Sequence, residues 1–446
     1  MALRLSIQLL SWLVVLLAIC VSATYPKTAR LGLSGKAMES KSEVRLPPEF
    51  VTYFYTQTLD HFNYRPESYT TFQQRYIINS VYWGGANTSS PIFVYTGDEA
   101  SITDVAMVAG FITEIASHFK ALMVFIEHRY YGVSMPFGLR EEAFSNASTL
   151  GYFSSTQALA DYAELITYLK RNLSAENSPV IAVGGSYGGM LASWFRLKYP
   201  HIAMGALASS APILYFDDIT PQNGYFVVVT KDFREASESC YDTIRQSWFE
   251  IDRVAAEPNG LTVLSQIFST CKPLNSSQEL KDYLGLVYAA SAQYDNPPDY
   301  PVNMLCNAID GAPEGTDILG RISVGLNSSI FGHQPCNYIF DLKPSNKSGW
   351  IWQDIKSVLD NFGSNIIFSN GLRDPYSSGG VLQNISDSVV AIYTAQGAHC
   401  LDLLTPLPSD PVWLVSQRNT EISIIEGWLT EYMNATLASN THGRSG

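Results

Sequence analysis

The sequence predicts an α/β fold in which a mostly parallel β-sheet is covered by helices on both faces. Strand-like and helix-like segments alternate through the first half of the chain, and the strands are continuous apolar runs such as residues 180–183. Strands buried on both faces of a parallel sheet have this composition. The alternation stops near residue 216 and resumes after about residue 348. The chain is therefore expected to form one sheet whose sequence is interrupted by an insertion.

The elements of the first half follow from apolar spacing. Strands are predicted at residues 72–83, 91–95 and 121–126, and the last two are short, strongly apolar runs. Residues 102–119 have apolar side chains at helical spacing and predict a helix. A second helix is expected to start at residues 154–157, where Ser-Ser-Thr-Gln resembles a capping box.

Two more strands, at residues 180–183 and 204–209, flank a helix that ends near Tyr199. Beyond the insertion, residues 365–370 and 388–394 predict the return of the sheet. The chain closes with a predicted helix around residues 421–433, whose apolar stripe we assign to core packing.

The insertion is predicted to be mostly helical, with helices at residues 241–255 and 278–290. It also contains four of the five cysteines that remain after Cys20 is removed with a leader. Four cysteines in an oxidising compartment can form two bridges, which leaves one thiol over. The five are Cys240, Cys271, Cys306, Cys336 and Cys400.

The N-terminus predicts a secretory signal peptide at residues 1–23. Arg4 precedes an apolar stretch at residues 5–21, and small residues stand at Val21 and Ala23. An uncleaved membrane anchor is the rival interpretation, because the stretch approaches the lower length limit for spanning a bilayer. Asn-x-Ser/Thr sequons support the secretory route. They begin at Asn87, Asn146, Asn172, Asn275, Asn327, Asn346, Asn384 and Asn434.

These observations divide the chain into four parts. The signal peptide at 1–23 is followed by the first part of the core at 24–215, the helical cap insertion at 216–353 and the second part of the core at 354–446. The roughly 420 mature residues exceed one ordinary domain, so an enlarged single core is expected.

The formal net charge of −13 argues against a nucleic-acid partner and suits an acidic compartment such as a lysosome or vacuole, or the extracellular space. The sequence has no Cys-x-x-Cys and no His-Glu-x-x-His, so neither a metal nor another cofactor is expected. We expect peptide substrates and no membrane association after signal cleavage. The assembly state is left open, with a homodimer as one alternative.

The candidate nucleophile is Ser186. It lies in Gly184-Gly185-Ser186-Tyr187-Gly188, directly between a predicted strand and a predicted helix. A serine at the apex of such a strand–turn–helix extends its hydroxyl beyond the sheet edge, where a base and a substrate carbonyl can reach it. A plain tight turn is the alternative interpretation.

The candidate base is His399 and the candidate acid is Asp374. In α/β-hydrolases the order is nucleophile, acid, base, each after the C-terminal end of a strand. His399 follows the strand at 388–394, and Asp374 follows the strand at 365–370. His201, His333 and His442 are less well placed as bases, and Asp387 and Asp402 are weaker candidates for the acid. The set predicts acyl transfer, with the oxyanion bound by the backbone N–H of Tyr187 and a second donor near Asp98.

With these residues in place, the chain resembles the prolylcarboxypeptidase family of serine peptidases, also called lysosomal Pro-X carboxypeptidases, whose sister branch is dipeptidyl peptidase II. The resemblance rests on short strings that span the chain in order. They are Asp60-His61-Phe62, Glu127-His128-Arg129-Tyr130-Tyr131-Gly132, Gly184 to Met190, Phe368-Ser369-Asn370-Gly371, Asp374-Pro375, Gly397-Ala398-His399 and Leu401-Asp402-Leu403.

The resemblance implies an α/β-hydrolase core with a helical cap inserted before the acid, and cleavage after proline near a peptide terminus. It places the triad on Ser186, Asp374 and His399. It also implies that Met190 walls a proline pocket, and we assign Tyr376, where the family usually has Trp, to the substrate site. By the same analogy, Glu127-His128-Arg129 are structural. The implied disulfides are Cys240–Cys306 and Cys271–Cys336.

The main departure from the family lies after Gln353, where several dozen family residues have no counterpart and the cap is shortened. The first interpretation is a serine exopeptidase that releases a C-terminal residue linked to a penultimate proline. One alternative is a dipeptidyl peptidase that releases N-terminal X-Pro dipeptides. The other is a catalytically silent product of the shortened cap.

Overall fold

The computed structural model describes residues 46–63, 69–216, 219–329, 335–339 and 355–442. These residues contain one eight-stranded sheet with helices on both faces. The strands are β1 (Val51–Thr58), β2 (Thr71–Asn79), β3 (Ile92–Thr96), β4 (Leu122–Ile126), β5 (Val180–Gly185), β6 (Gly205–Ser209), β7 (Ile366–Gly371) and β8 (Val389–Thr394).

The order across the sheet is β1-β2-β4-β3-β5-β6-β7-β8. β2 pairs antiparallel with β1 and with β4, and every later pairing is parallel. This mixed, helix-covered sheet is the predicted α/β-hydrolase fold. The predicted strand at 72–83 is shorter than expected, since β2 ends at Asn79. No strand was predicted at β1, an edge strand whose side chains are mostly exposed and therefore show no apolar alternation.

Helices lie between the strands of the first half, and two short ones, at residues 140–143 and 147–150, were not predicted. The helices are α1 (Ile102–Val108), α2 (Gly110–Phe119), α3 (Arg140–Ala143), α4 (Ala147–Leu150), α5 (Ser155–Asn172) and α6 (Tyr187–Lys198). The predicted single helix at 102–119 is wrong, because the chain bends by 67° between α1 and α2. Gly110 packs there so closely that an added Cβ would lie 2.2 Å from Thr405 Oγ1. At the start of α5, the Ser154 side chain accepts a hydrogen bond from the Gln157 N–H, as the capping pattern predicted.

The described residues between β6 and β7 are mostly helical and form a layer. Its helices are α7 (Gly224–Ala236), α8 (Glu238–Ala255), α9 (Gly260–Ile267), α10 (Ser277–Gln293), α11 (Pro301–Asp310) and α12 (Ile318–Ser328). We call α7–α12 the cap. Its disulfides are Cys240–Cys306, which joins α8 to α11, and Cys271–Cys336, and this is the pairing that the family resemblance implied. Cys400 is buried and forms no disulfide within the described residues.

The second half adds two helices, α13 (Ile355–Phe362) and α14 (Val412–His442). The predicted helix at 421–433 is the middle of α14, where Ile425 and Trp428 are buried against one face of the sheet together with α1 and α2. The opposite face packs against α5, α6 and the cap in a single apolar cluster that includes Trp194 and Phe233. The cap is therefore continuous with the core of the sheet.

Several predictions concern residues outside the described ranges: the signal peptide at 1–23, Asn346, His333 and the departure after Gln353. The other sequon asparagines are all exposed, as carriers of glycans must be; they are Asn87, Asn146, Asn172, Asn275, Asn327, Asn384 and Asn434. Within the described residues, no single helix is long and apolar enough to cross a membrane. The bent pair α1–α2 together is long and apolar enough, judged by length and composition alone.

Candidate active site

The turn between β5 and α6 holds Ser186 in a strained conformation, with φ 57° and ψ −125°. Glycines make the turn possible, because an added Cβ at Gly184 would lie 2.1 Å from the Gly188 carbonyl oxygen. At Gly188 it would lie 2.6 Å from the Thr96 carbonyl oxygen. The Ser186 N–H donates to the Ser209 carbonyl at 2.9 Å, which fixes the turn to the end of β6. This is the strand–turn–helix geometry of a nucleophile elbow.

His399 and Asp374 form a buried pair at the same sheet edge. Asp374 follows β7, His399 follows β8, and His399 Nδ1 lies 2.7 Å from Asp374 Oδ2. The second carboxylate oxygen, Asp374 Oδ1, accepts a hydrogen bond from the Tyr376 N–H. Both side chains are inaccessible to solvent. Since the carboxylate accepts, the imidazole carries its proton on Nδ1 and presents Nε2 as an acceptor.

Nε2 of this imidazole and the Ser186 hydroxyl are both available for chemistry. Among the residues that the structure describes, neither His399 Nε2 nor Ser186 Oγ has a hydrogen-bond partner, and both are buried. The end of β6 lies beside both residues: the Ser209 carbonyl accepts from the Ser186 N–H and lies 3.9 Å from Cys400 Sγ, next to His399. The backbone of Ser186 and the side chain that follows His399 therefore both lie against the Ser209 carbonyl.

The charge of His399 depends on its carboxylate partner. Burial lowers the pKa of His399, but the neighbouring Asp374 and Cys400 together outweigh burial and raise that pKa well above its usual value. A carboxylate at Nδ1 stabilises the imidazolium that forms when a base accepts a proton. The Asp374 carboxylate therefore stabilises the protonated form of His399.

The rival candidates lie elsewhere. His201 is exposed, and Asp387 is exposed in the loop before β8. Asp402 is buried but accepts its hydrogen bond from the Ser209 hydroxyl. Within the described residues, the structure pairs Asp374 with His399 and fixes the Ser186 turn to the end of β6, and no hydrogen bond joins Ser186 Oγ to His399 Nε2. Unlike these three buried residues, His201 and Asp387 are exposed.

The two positions predicted for the oxyanion hole lie on either side of the nucleophile turn. Tyr187 is the first residue of α6. Asp98 follows β3, is buried, and its carboxylate accepts from the Ala100 N–H. An added Cβ at Gly188 would lie 3.7 Å from Asp98 Cβ, so the loop after β3 packs directly on the start of α6.

Met190 and Tyr376 are both buried next to these residues. The Met190 N–H donates to the Ser186 carbonyl, one turn into α6. The Tyr376 ring lies 5.3 Å from the His399 ring and 4.8 Å from the Tyr225 ring of the cap. Aromatic contacts therefore run from the imidazole through Tyr376 to the cap.

Behind the site lies a buried polar network whose contacts cannot be predicted from the sequence. His128 Nε2 lies 3.1 Å from the Tyr187 hydroxyl, while its Nδ1 lies 2.6 Å from the Arg129 carbonyl. Burial lowers the pKa of His128 to about 4, so the ring is neutral. Arg129 is buried and donates to Asp161 of α5. The family resemblance implies that Glu127-His128-Arg129 are structural, but no signal in the sequence identifies Asp161 as the partner of Arg129.

Comparison with known proteins decides the family. The family model described as "Serine carboxypeptidase S28" matches residues 57–325 and 326–421. The chain belongs to the serine carboxypeptidase S28 family. It is a serine-type peptide hydrolase by this membership.

Curated relatives of this S28 peptidase extend over most of its length. The lysosomal Pro-X carboxypeptidases of Pongo abelii and Homo sapiens are each 35% identical to it, over 86% of this chain and 89% of the relative. The Bos taurus protein of the same name is 36% identical over 84% of this chain and 87% of the relative. The human alignment is 447 positions long yet includes only 86% of this chain, so the relative has segments without counterpart here.

Solved structures are more distant. The proline iminopeptidase of Mycobacterium smegmatis superimposes with a TM-score of 0.39 at 10% identity, covering 86% of this chain and 100% of that one. A similarity of this size supports no inference about activity.

Proposed function

We propose that this S28 peptidase releases the C-terminal residue of peptides whose penultimate residue is proline. The observation that carries the proposal is the buried His399–Asp374 pair, 2.7 Å apart, with His399 Nε2 and the Ser186 hydroxyl left for a reacting group. Its relatives named lysosomal Pro-X carboxypeptidase support the substrate class.

In this mechanism Ser186 Oγ attacks the carbonyl carbon of proline, and His399 Nε2 takes the hydroxyl proton. His399 then gives that proton to the departing amine of the C-terminal residue, which leaves an ester between proline and Ser186. Water attacks the ester, again with His399 as base, and the peptide ending in proline leaves. Asp374 keeps the imidazole proton on Nδ1 throughout.

Two backbone N–H groups are proposed to bind the oxyanion of each tetrahedral intermediate. Tyr187 supplies one from the start of α6, and Asp98 supplies the other from the loop after β3. Donors fixed in place before the reaction stabilise the developing charge without reorganisation, and one such donor typically contributes a factor of about 10² to 10³ in kcat.

Proline is proposed to bind against Met190 and Tyr376. A rigid ring with few rotamers loses little conformational entropy in an apolar pocket, so such a wall can select it. Tyr225, whose ring contacts Tyr376 from the cap, completes the aromatic surface. Peptides are the substrates, and no cofactor takes part in these steps.

The test combines labelling with peptide cleavage. A fluorophosphonate probe is expected to label the wild-type protein at Ser186 and not the Ser186→Ala variant. A folded wild-type protein that resists the probe would support the catalytically silent alternative. Blocked peptides ending in Pro-Phe with a free carboxylate should lose phenylalanine, while the same peptides with a C-terminal amide should react poorly.

Peptides with a free N-terminal X-Pro distinguish the second alternative. Release of the N-terminal dipeptide, with blocked Pro-Phe peptides left intact, would show a dipeptidyl peptidase and overturn the proposed carboxypeptidase. The peptide series therefore separates the two activities with one enzyme preparation.

We propose a secretory route that ends in a lysosome, a vacuole or the extracellular space, supported by the cap disulfides and the exposed sequons. Protein from a eukaryotic host should begin near Thr24 and lose mass on treatment with an N-glycosidase. Light scattering of the same sample distinguishes a monomer from a homodimer.

A further inference from the structure

One turn of the cap touches the loops that carry both catalytic side chains. It consists of Gln293, Tyr294 and Asp295 at the end of α10, and we call it the cap turn. The Gln293 carbonyl accepts a hydrogen bond from the His399 N–H at 3.0 Å. The base is therefore held by its own backbone to a residue of the cap.

The same turn also reaches the acid through Arg373, the residue directly before Asp374. Arg373 Nη2 lies 2.6 Å from Asp295 Oδ2, in an ion pair that is close but lacks hydrogen-bond alignment. The Asp295 side chain is buried and that of Arg373 is 19% exposed. The Arg373 N–H donates to the Gly397 carbonyl, two residues before His399, so the acid and base loops are also joined to each other.

Side chains inside the cap make this turn rigid. Gln293 Nε2 donates to the Tyr294 hydroxyl, and Gln293 Oε1 accepts from the Tyr225 hydroxyl of α7. Asp295 Oδ1 accepts from the Val302 N–H at the start of α11. The Tyr294 ring stands edge-on to the His399 ring, with centroids 6.1 Å apart. Two cap helices thus brace the turn that holds the base.

Charge keeps Arg373 in place. Asp232 of α7 is a second carboxyl within electrostatic range of Arg373; it is buried and has no hydrogen-bond partner in the described part of the chain. Burial raises the pKa of Asp232 to about 8, and the nearby Asp295 carboxylate adds to that rise while Arg373 opposes it. Arg373 therefore opposes the effect of burial on both carboxyls, and burial disfavours the charged form of Asp232.

We propose that the cap turn is a positioning element for catalysis, with Asp295 and Arg373 as positioning residues that fix Asp374 relative to His399. The inference rests on the proposed function. In this proposal the cap also positions the loops of Asp374 and His399 relative to each other. Displacement of a catalytic group by about 1 Å can reduce the rate by about 10²-fold.

The test is a set of variants measured with two reagents. Asp295→Asn preserves the acceptor for the Val302 N–H and removes the charge opposite Arg373. It is expected to lower kcat about 10-fold with little change in KM, and to slow labelling of Ser186 by a small fluorophosphonate to the same degree. The probe needs an aligned triad but makes no use of a peptide pocket. Arg373→Gln should act alike, and Arg373→Lys should recover part of both rates.

The matched control is Asp252→Asn. Asp252 pairs with Lys281 of α10 at 2.8 Å on the exposed surface of the same cap. Removal of that charge should leave kcat, KM and the labelling rate unchanged. Concentrations of competent enzyme are taken from active-site titration, so that misfolded protein does not count as slow enzyme.

The double variant Asp295→Asn/Arg373→Gln keeps the inference falsifiable if a single variant fails to fold, because it leaves no unpaired buried charge. A double variant that folds and is labelled at the wild-type rate would overturn the inference. So would a rise in KM alone, which would assign the turn to substrate binding. A wild-type protein that the probe leaves unlabelled would overturn the proposed function and the inference with it.

Discussion

Ser186 occupies a backbone conformation that costs about 1–3 kcal/mol for a residue with a Cβ. The surrounding structure sustains this strain, because the serine N–H is bonded to the end of β6 and the glycines on either side admit neighbouring backbone. The result is a hydroxyl fixed at the sheet edge before any substrate arrives. A nucleophile placed in this way loses little entropy when it reacts.

At the same scale, Asp374→Asn is expected to lower kcat about 10³- to 10⁴-fold, because an amide no longer enforces the Nδ1–H tautomer of His399. Steady-state kinetics on a Pro-Phe peptide measures the loss. Asp387→Asn, a change at an exposed aspartate of the same half of the chain, should leave kcat unchanged. Equal losses in both variants would contradict the assignment of Asp374 as the acid.

Among elements, the turn from β5 to α6 depends on close backbone packing. Gly188→Ala is expected to abolish activity and to lower the melting temperature, since its Cβ would lie 2.6 Å from the Thr96 carbonyl oxygen. Gly427→Ala is the matched control in α14, where an added Cβ meets nothing within 4 Å. It should stabilise the fold by about 1 kcal/mol through helix propensity. Thermal unfolding checks both, and a tolerated Gly188→Ala would refute the packing argument.

The cap helices depend on their disulfides. The double variant Cys240→Ala/Cys306→Ala opens a bridge between residues 66 positions apart, and we expect it to cost about 2–5 kcal/mol. Urea unfolding measures this loss. Cys271→Ala/Cys336→Ala opens the second bridge, which closes a loop of nearly equal length with a separation of 65, and should cost a similar amount. A much smaller loss for either would show that packing alone holds that part of the cap.

Elements with a strong local signal could be predicted from the sequence. The strands β3, β4, β5 and β7 are short apolar runs, and the positions of Ser186, Asp374 and His399 after such runs carried the candidate triad. The bend after α1 could not be predicted, because it depends on contact between Gly110 and Thr405, nearly three hundred residues later. The same holds for the cap turn, whose contacts to Arg373 and His399 join segments that are distant in sequence.

For the whole molecule, buried ionisable groups make stability depend on pH. Burial raises the pKa of Asp402, of Glu421 and of Asp232, the last to about 8. Between about pH 4, where free carboxyls titrate, and these raised values, the native state binds more protons than the unfolded chain. The free energy of unfolding therefore falls as pH rises through this window, by about 1.4 kcal/mol per pH unit and proton.

Two histidines have opposite effects on this balance. The raised pKa of His399 contributes stability below its unfolded value near 6.5, and that contribution is lost as pH rises through the folded value. His128, with a pKa of about 4, opposes the trend between pH 4 and 6.5 because it stays neutral when folded. The three carboxyls with raised pKa values outweigh this single histidine in the balance of bound protons.

We accordingly expect a higher melting temperature at pH 5.5 than at pH 8. Glu421→Gln should reduce the difference, because the amide cannot ionise beside Asp402 while it still accepts from the Ser369 hydroxyl. Melting curves at both pH values, with Glu431→Gln at an exposed position of α14 as the control, provide the measurement. A wild-type melting temperature that rises from pH 5.5 to pH 8 would contradict this balance of charges.

The apolar cluster that runs without interruption from α6 into α8, α10 and α12 has an evolutionary consequence. The inner side chains of the cap interdigitate with those of the sheet. Replacing the whole cap by that of a homologue would therefore place side chains of the wrong size in a close-packed interior. New specificities in this lineage should therefore arise by stepwise substitution along the rim of the existing cap, and recombined chimaeras should aggregate unless their cores are redesigned together.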